Sequence, residues 1–180
     1  ETYYPNDEIT VSGWVNEGEL YNLSVTDRVT FKDNNQIGIC LSHELPSKHL
    51  QTHHDLIEGL TKKITEVFDI KNGPIYYQYL LGADGIVVNE IACRIGGAHE
   101  ATFLPLVTGF DITEAAILAA LGQSVDTHKL KHYKVTLPKK HVSVQLFFCQ
   151  PCHVEHVPDQ KDITSLMGIE DYHCHLSNGD

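Results

Sequence analysis

The sequence is short of positive charge. Thirteen lysines and arginines face 24 aspartates and glutamates, a formal net charge of −11 over 180 residues. That balance argues against nucleic acid as a partner, because phosphate backbones are gripped by a basic footprint. An acidic site can still meet an anionic nucleotide when a metal ion stands between them. No run of about 18 apolar residues is present, which argues against a helical membrane span. No charged-then-apolar leader opens the chain. The five cysteines are odd in number and unevenly spaced, a poor disulfide framework. A reduced, cytoplasmic compartment is the expectation. Internal repeats and low-complexity tracts are also missing. What remains is a globular composition, 42% hydrophobic and 21% charged, enough for one ordinary core or two small ones.

Taken in order, the residues alternate between strand and helix signals. Ile9 to Val15 and Leu20 to Val29 read as two strands around Asn16-Glu17-Gly18, a loop ending in glycine. Asp33-Asn34-Asn35 marks a turn, with a further strand over Gln36 to Leu41. Ser47 can cap a helix running to about Ile70, with Leu50, Ile57, Leu60, Ile64 and Val67/Phe68 along its apolar face. Asn72-Gly73-Pro74 stops it. Ala98 to Val107 suits a short helix closed by Gly109, and Asp111 with Glu114 forms a capping box for Ile112 to Leu121, with Gly122 as its C-terminal glycine. Residues 123–140 are polar and basic and read as a connector. A small β-rich tail follows, with strands over Val142 to Phe148, Val154 to Val157 and Tyr172 to Leu176 and a helix at Ile163 to Met167. The class is α+β, with an antiparallel sheet, packed helices and a small β-rich C-terminal subdomain over 141–180 after a first domain over 1–122.

The stretch from Ile75 to Glu100 carries the chemistry. Two β-rich runs flank Gly82-Ala83-Asp84-Gly85, a hairpin signal. A three-residue loop ending in Gly85 sets Leu80 opposite Val88 and Gln78 opposite Glu90, all on one face. A four-residue loop moves the register by one and separates Gln78 from Glu90. In the first register a carboxylate and an amide oxygen lie side by side as hard ligands for Mg²⁺ or Mn²⁺. Arg94 follows beyond the strand end with a guanidinium fork suited to phosphate. Gly96 and Gly97 permit close approach of backbone amides to an anion. A polar surface hairpin with a Glu–Arg ion pair accounts for the same pattern without chemistry.

Residues 88–99, Val-Asn-Glu-Ile-Ala-Cys-Arg-Ile-Gly-Gly-Ala-His, resemble the C-terminal signature of ATP-grasp enzymes, particularly L-amino-acid ligases and carbamoyl-phosphate-synthase-like members. Glu1 and Glu8 in Glu-Thr-Tyr-Tyr-Pro-Asn-Asp-Glu resemble the family's hinge strand, and Asn72-Gly73-Pro74 its entry into the first metal-ligand strand. The tail from Val142 resembles the C-terminal β subdomain of biotin-carboxylase-like members. The resemblance implies the C-terminal half of an ATP-grasp unit that binds ATP with Mg²⁺ and joins a small carboxylate, such as an amino acid, to an amine through an acyl phosphate. It implies Gln78 and Glu90 as metal ligands, Arg94 as the catalytic cation, and Leu80 and Val88 as an apolar bed for adenine. Glu1 would meet the adenine, Glu8 would hold ribose, and Gly97 and His99 would lie near the acceptor. Ala92 and Gln78 depart from a common Asn and Glu, so a catalytically silent binding or scaffold module is the alternative. The family's phosphate-gripping lysines and glycine-rich loop lie upstream of the hinge and are not in this sequence. The expected partner is therefore the N-terminal half of the same enzyme, and the expectation is that the chain alone does not turn over.

Other clusters point less sharply. Cys149, Cys152, His153 and His156, with His173, Cys174 and His175 later, have some zinc-like spacing. Strand alternation, however, sends His173 and His175 to one side and Cys174 to the other. Cys93 reads as a buried thiol, and Arg28 as either a surface residue or a phosphate contact.

Overall fold

The computed structural model describes residues 4, 6–31, 38–138 and 140–179. Its larger unit, Glu1–Leu146, is built on a six-stranded antiparallel sheet. The strands are β1 (Asp7–Asn16), β2 (Glu19–Thr30), β3 (Cys40–Leu45), β4 (Gly73–Gly82), β5 (Gly85–Ala92) and β6 (Val142–Gln145), in spatial order β5-β4-β1-β2-β3-β6. The α+β class expected from the sequence is the one observed. The turn expected at Asp33-Asn34-Asn35 lies outside the described residues.

β1 is central, and its alternation organises both faces. Ile9 and Val11 point with Val25, Ile75, Tyr77 and Tyr79 into a core completed by Leu50 and Ile57 of helix α1 (Leu50–Val67). The even-numbered residues Glu8, Thr10 and Ser12 lie on the other face. There a second core gathers Trp14 and Leu23 with Phe103, Leu104 and Val107 of α2 (Glu100–Thr108) and with Ile112 and Ala115 of α3 (Ile112–Ala120). Trp14 meets Phe110 edge-on at 5.5 Å between ring centres. Gly109 closes α2 at φ 73°, and the Asp111 side chain accepts from the amides of Thr113 and Glu114, as the capping pattern indicated.

Four expectations need correction. The β1–β2 loop has two residues, Glu17 and Gly18, because Asn16 pairs with Glu19. Both have positive φ, 52° and 84°, the hand that matches the twist of a two-residue hairpin. Helix α1 starts at Leu50 rather than beside Ser47, whose hydroxyl instead takes the His49 amide and donates to Asp27. The buried face of α1 runs Leu50, Ile57, Thr61, Thr65, leaving Val67 72% and Phe68 63% exposed. Threonine can occupy that face because Thr61 and Thr65 donate to carbonyls four residues back, and Thr65 also meets the Tyr77 hydroxyl at 2.6 Å. Finally, residues 123–138 are not a free connector. Leu130 is buried in the second core, and the Tyr133 hydroxyl donates to the Leu23 carbonyl at 2.9 Å.

The strand expected to open the C-terminal subdomain is also relocated. β6 pairs with β3, Val144 opposite His43, and so belongs to the main sheet. The second unit is Phe147–Asp180. Among its described residues none is buried, and its one helix is α4 (Gln160–Thr164). The strands expected at Val154–Val157 and Tyr172–Leu176 do not form. Bonds from the Gly179 amide to the Val154 carbonyl (2.8 Å) and from the Val157 amide to Asn178 (2.7 Å) tie the C-terminal residues to the 154–157 segment instead.

Ile57→Ala is expected to lower the unfolding free energy by about 2–5 kcal/mol, the cost of an unfilled core site. Val67→Ala is expected to change it by less than about 0.5 kcal/mol. Urea denaturation of the two variants measures both.

Candidate functional site

The hairpin of β4 and β5 sets Gln78 directly opposite Glu90, but by a route the sequence does not display. Gly82 pairs with Gly85, so the loop holds only Ala83 and Asp84, and the strands leave it as Leu81↔Ile86, Leu80↔Val87 and Tyr79↔Val88. Continued unbroken, that register brings Asn89 to Gln78. A β-bulge between Gln78 and Tyr79 skips Asn89 and delivers Glu90 instead. The expected Leu80–Val88 pair is therefore replaced by Leu80–Val87, and Val88 stands across from the core residue Tyr79.

Around this pair the polar face of the sheet forms a connected row. Glu8 accepts from the Arg28 guanidinium, and the Gln78 side-chain amide donates to the same Glu8 oxygen at 2.8 Å. With its nitrogen engaged by a carboxylate, Gln78 has its carbonyl oxygen left as the free end, the atom a hard cation accepts. Glu8 and Arg28 are 15% and 18% exposed, so their pairing is sheltered from screening. Thr10 and Thr26 share a hydroxyl contact of 2.5 Å, and Thr26 reaches His43 Nδ1 at 3.4 Å.

A cleft of about 290 Å³ opens over this row. Of the residues singled out from the sequence, it brings together Gln78, Glu90, Arg94, Gly97 and His99. Glu8 sits at its edge through its bonds to Arg28 and Gln78, while Leu80 and Val88 do not line it. Glu1 lies outside the described residues. Arg94 is held loosely, 3.4 Å from Glu90 Oε1, donating to the Ile95 carbonyl at 3.0 Å and lying 5.4 Å above the Tyr76 ring. Arg94 and Glu90 are each about half exposed, as groups that meet a ligand must be. Of the two glycines only Gly97 faces the cleft; the Gly96 amide is committed inward to the Glu100 carboxylate at 2.9 Å. His99 occupies a left-handed conformation, φ 55°, at the head of α2.

Sequence reading missed His43, Cys40 and Tyr76, and left Arg28 open; all four line the cleft. Tyr76 was within reach, since it shares the parity of Gln78 on β4. His43 was not, because the strand that carries it is closed in by β6, far away in the chain, and lies across the sheet from the β4–β5 hairpin. Burial, reinforced by the Arg28 charge, pushes the His43 imidazole down to about 4. Burial raises the Tyr76 phenol to about 12 and the Cys40 thiol above its ordinary value. The cleft wall is therefore neutral at His43, Tyr76 and Cys40, and cationic at Arg28 and Arg94. Cys93 is exposed, not buried. Among the described residues no three His, Cys, Asp or Glu side chains converge as a metal-holding group.

No protein-family model matches the chain. A tryptophan synthase alpha chain from Marinobacter nauticus is 34% identical over 68 residues, 36% of this chain but only 25% of that protein. The likeness of solved structures is far more extensive. The L-amino acid ligase of Bacillus licheniformis superposes with a TM-score of 0.74 at 15% identity, over 91% of this chain and 41% of the ligase. N5-carboxyaminoimidazole ribonucleotide synthetase from Thermus thermophilus gives 0.65 at 14% identity, over 93% and 41%. The biotin carboxylase domain of the Hydrogenobacter thermophilus 2-oxoglutarate carboxylase, solved with MgADP and bicarbonate, gives 0.55 at 20% identity, over 72% and 28%. The fold is that of ATP-grasp enzymes, and this chain spans about two fifths of the first two structures.

The His43 environment makes stability pH-dependent. The unfolded chain takes up this proton near pH 6.5 and the folded chain only near pH 4, so the unfolded state binds more protons between those values. Stability is expected to fall as pH drops through that window, by up to about 3 kcal/mol. In urea titrations His43→Gln should remove the part of the decline between pH 6.5 and 5, above the ordinary carboxylate range.

Proposed function

We propose that this chain supplies the nucleotide- and Mg²⁺-holding part of an ATP-dependent carboxylate–amine ligase. The observation that carries this reading is the direct pairing of Gln78 with Glu90, in one cleft with Arg94, on a fold shared with ligases. The donor set suits a hard divalent cation: one carboxylate, and one amide oxygen left free by the Gln78–Glu8 bond. When bound, Mg²⁺ or Mn²⁺ would neutralise nucleotide phosphate charge as the terminal phosphoryl group moves to a carboxylate.

The chain's own residues do the remainder. Glu90 and Gln78 would hold the divalent cation at the cleft. Arg94, steadied by the Tyr76 ring and free to swing from Glu90, stabilises charge on the transferring phosphoryl group. Glu8 holds the ribose hydroxyls, with Arg28 and Gln78 fixing its carboxylate in place. Leu80 with its cross-strand partner Val87, rather than Val88, forms the apolar bed for adenine. Glu1 meets the adenine. Gly97 and His99 face the acceptor side, where an amine attacks the acyl phosphate and phosphate leaves. The donor is a small carboxylate or amino acid, the remaining ATP-binding elements come from the upstream part of the same enzyme, and this chain alone binds nucleotide without turning it over. The five free cysteines suit a cytoplasmic setting. Among the described residues no single helix is long and apolar enough to cross a membrane.

A second reading, a silent nucleotide-binding module, is favoured by Gln78, which brings one negative charge fewer than a glutamate to the metal. Both readings expect binding, and both fail together if it is absent. Calorimetric titration should show Mg·ADP binding that EDTA abolishes and that Glu90→Ala weakens at least about tenfold, or 1.4 kcal/mol. Unchanged affinity in Glu90→Ala removes the metal assignment. Amino-acid-dependent ATP hydrolysis by the full-length protein, lost in Arg94→Ala, separates the ligase from the silent module.

A further inference from the structure

Glu100 is the most deeply buried charged side chain among the described residues, 2% exposed, at the first position of α2. Isolated carboxylates are costly to bury, and they persist where something specific needs them. Glu100 does not line the cleft. Its Oε2 accepts the Gly96 amide at 2.9 Å, four residues back and inside the turn that joins Arg94 to α2. The fit is close from both sides. A Cβ added at Gly96 would stand 2.2 Å from Glu100 Oε1 and 2.4 Å from its carboxyl carbon. Gly96 has no positive φ, so the demand for glycine there comes from the carboxylate and not from the backbone. Gly97, by contrast, has open space around its own Cβ position.

The surroundings keep this carboxylate poised. Burial raises its pKa, while the Ser12 hydroxyl, the Gly96 amide and the Arg94 charge draw it back down. The Ser12 hydroxyl beside it is itself buried. The Glu100 carboxyl group thus lies behind the turn, within electrostatic reach of Arg94, while Arg94, Gly97 and His99 line the cleft.

We propose that Glu100 is a positioning residue: its carboxylate pins the Gly96 amide inward, and by doing so fixes Arg94 and Gly97 at the mouth of the cleft. The proposal rests on the functional reading above for what Arg94 then does, but the pinning itself does not. Glu100 acts through the turn and touches neither nucleotide nor metal.

Two readouts test it on the same variants. Amide hydrogen exchange, measured without nucleotide, should rise at least about tenfold at residues 96–99 in Glu100→Ala while β1 and β4 amides keep their protection. Glu100→Gln, whose carbonyl oxygen can still accept from Gly96, should restore most of that protection. Gly96→Ala should accelerate exchange in the parent chain and add nothing in the Glu100→Ala background, because the two changes break one contact. Binding supplies the second readout. Glu100→Ala should weaken Mg·AMP-PNP, which carries a terminal phosphoryl group, about tenfold while leaving Mg·ADP unchanged. Unaltered exchange at residues 96–99, or equal loss of both nucleotides, overturns the proposal. Glu90→Ala serves as the control for the functional reading: if it leaves Mg·ADP binding untouched that reading fails, and the exchange result still decides whether Glu100 holds the turn.

Discussion

One extra residue in β5 decides what this sheet can do. Side chains on a strand alternate with a period of two, so a register fixed by the two-residue turn at Ala83-Asp84 would set Asn89 against Gln78 and turn Glu90 to the other face. The bulge at Asn89 absorbs the difference. Everything on the acidic side of the cleft depends on it, since Glu90 is the one carboxylate among the described residues that lines that space and Gln78 is its cross-strand neighbour. Bulges also increase local twist and bend, which suits a strand whose exit must carry Arg94 back over Tyr76.

The row beneath the cleft shows how a sheet can keep polar groups at its centre. Thr10, Ser12, Ser24 and Thr26 are each 1–2% exposed, on the face opposite the Ile9–Val11–Tyr77–Tyr79 core. Their cost is offset where they bond to one another, as Thr10 does with Thr26, and where charged neighbours close the row, as Glu8 does with Arg28 and Gln78. The Ser12 and Ser24 hydroxyls have no hydrogen-bond partner among the described residues, and they flank the end of the row nearest Glu100. The same face thus passes from a hydrophobic anchor around Trp14 and the α2–α3 pair to a polar floor under the cleft. That gradient gives the α2 turn a packed base on one side and a cleft-facing edge on the other.

Cationic and anionic groups are distributed across the cleft rather than paired off. Arg28 is committed to Glu8 and to the Gly38 carbonyl, whereas Arg94 has a 3.4 Å contact with Glu90, a bond to the neighbouring Ile95 carbonyl and the Tyr76 ring beneath it, and stays half exposed. Neutral His43 and Tyr76 line the same cleft. On the function proposed above, such a site would suit an anionic ligand that brings a counter-cation, in keeping with the net charge of −11 on the whole chain.

Local signals in the sequence determined a good deal. The first strand pairs, the stop at Asn72-Gly73-Pro74 and the capping at Asp111 and Gly109 are properties of neighbouring residues, written in periodicity and turn chemistry, whereas the grouping of Gln78, Glu90, Arg94, Gly97 and His99 was legible through the family resemblance of residues 88–99. What escaped depends on atoms far apart in sequence. Thr61 and Thr65 look polar until i−4 bonding and Tyr77 hide their hydroxyls. The connector looks solvated until Leu130 and Tyr133 meet a core that includes Leu23, 110 residues before Tyr133. His43 acquires its neutral character only when β6 and Arg28 close around it. The bulge itself is the sharpest case: Gln78 faces Glu90 as the motif required, yet the loop that was to place them there has two residues, and only pairing with β4 reveals which residue of β5 is skipped. Sequence specified what each side chain can donate or accept, because residue type alone sets that capacity. Tertiary structure decided which of them meet, because register, burial and bond partners belong to the sheet and not to the chain.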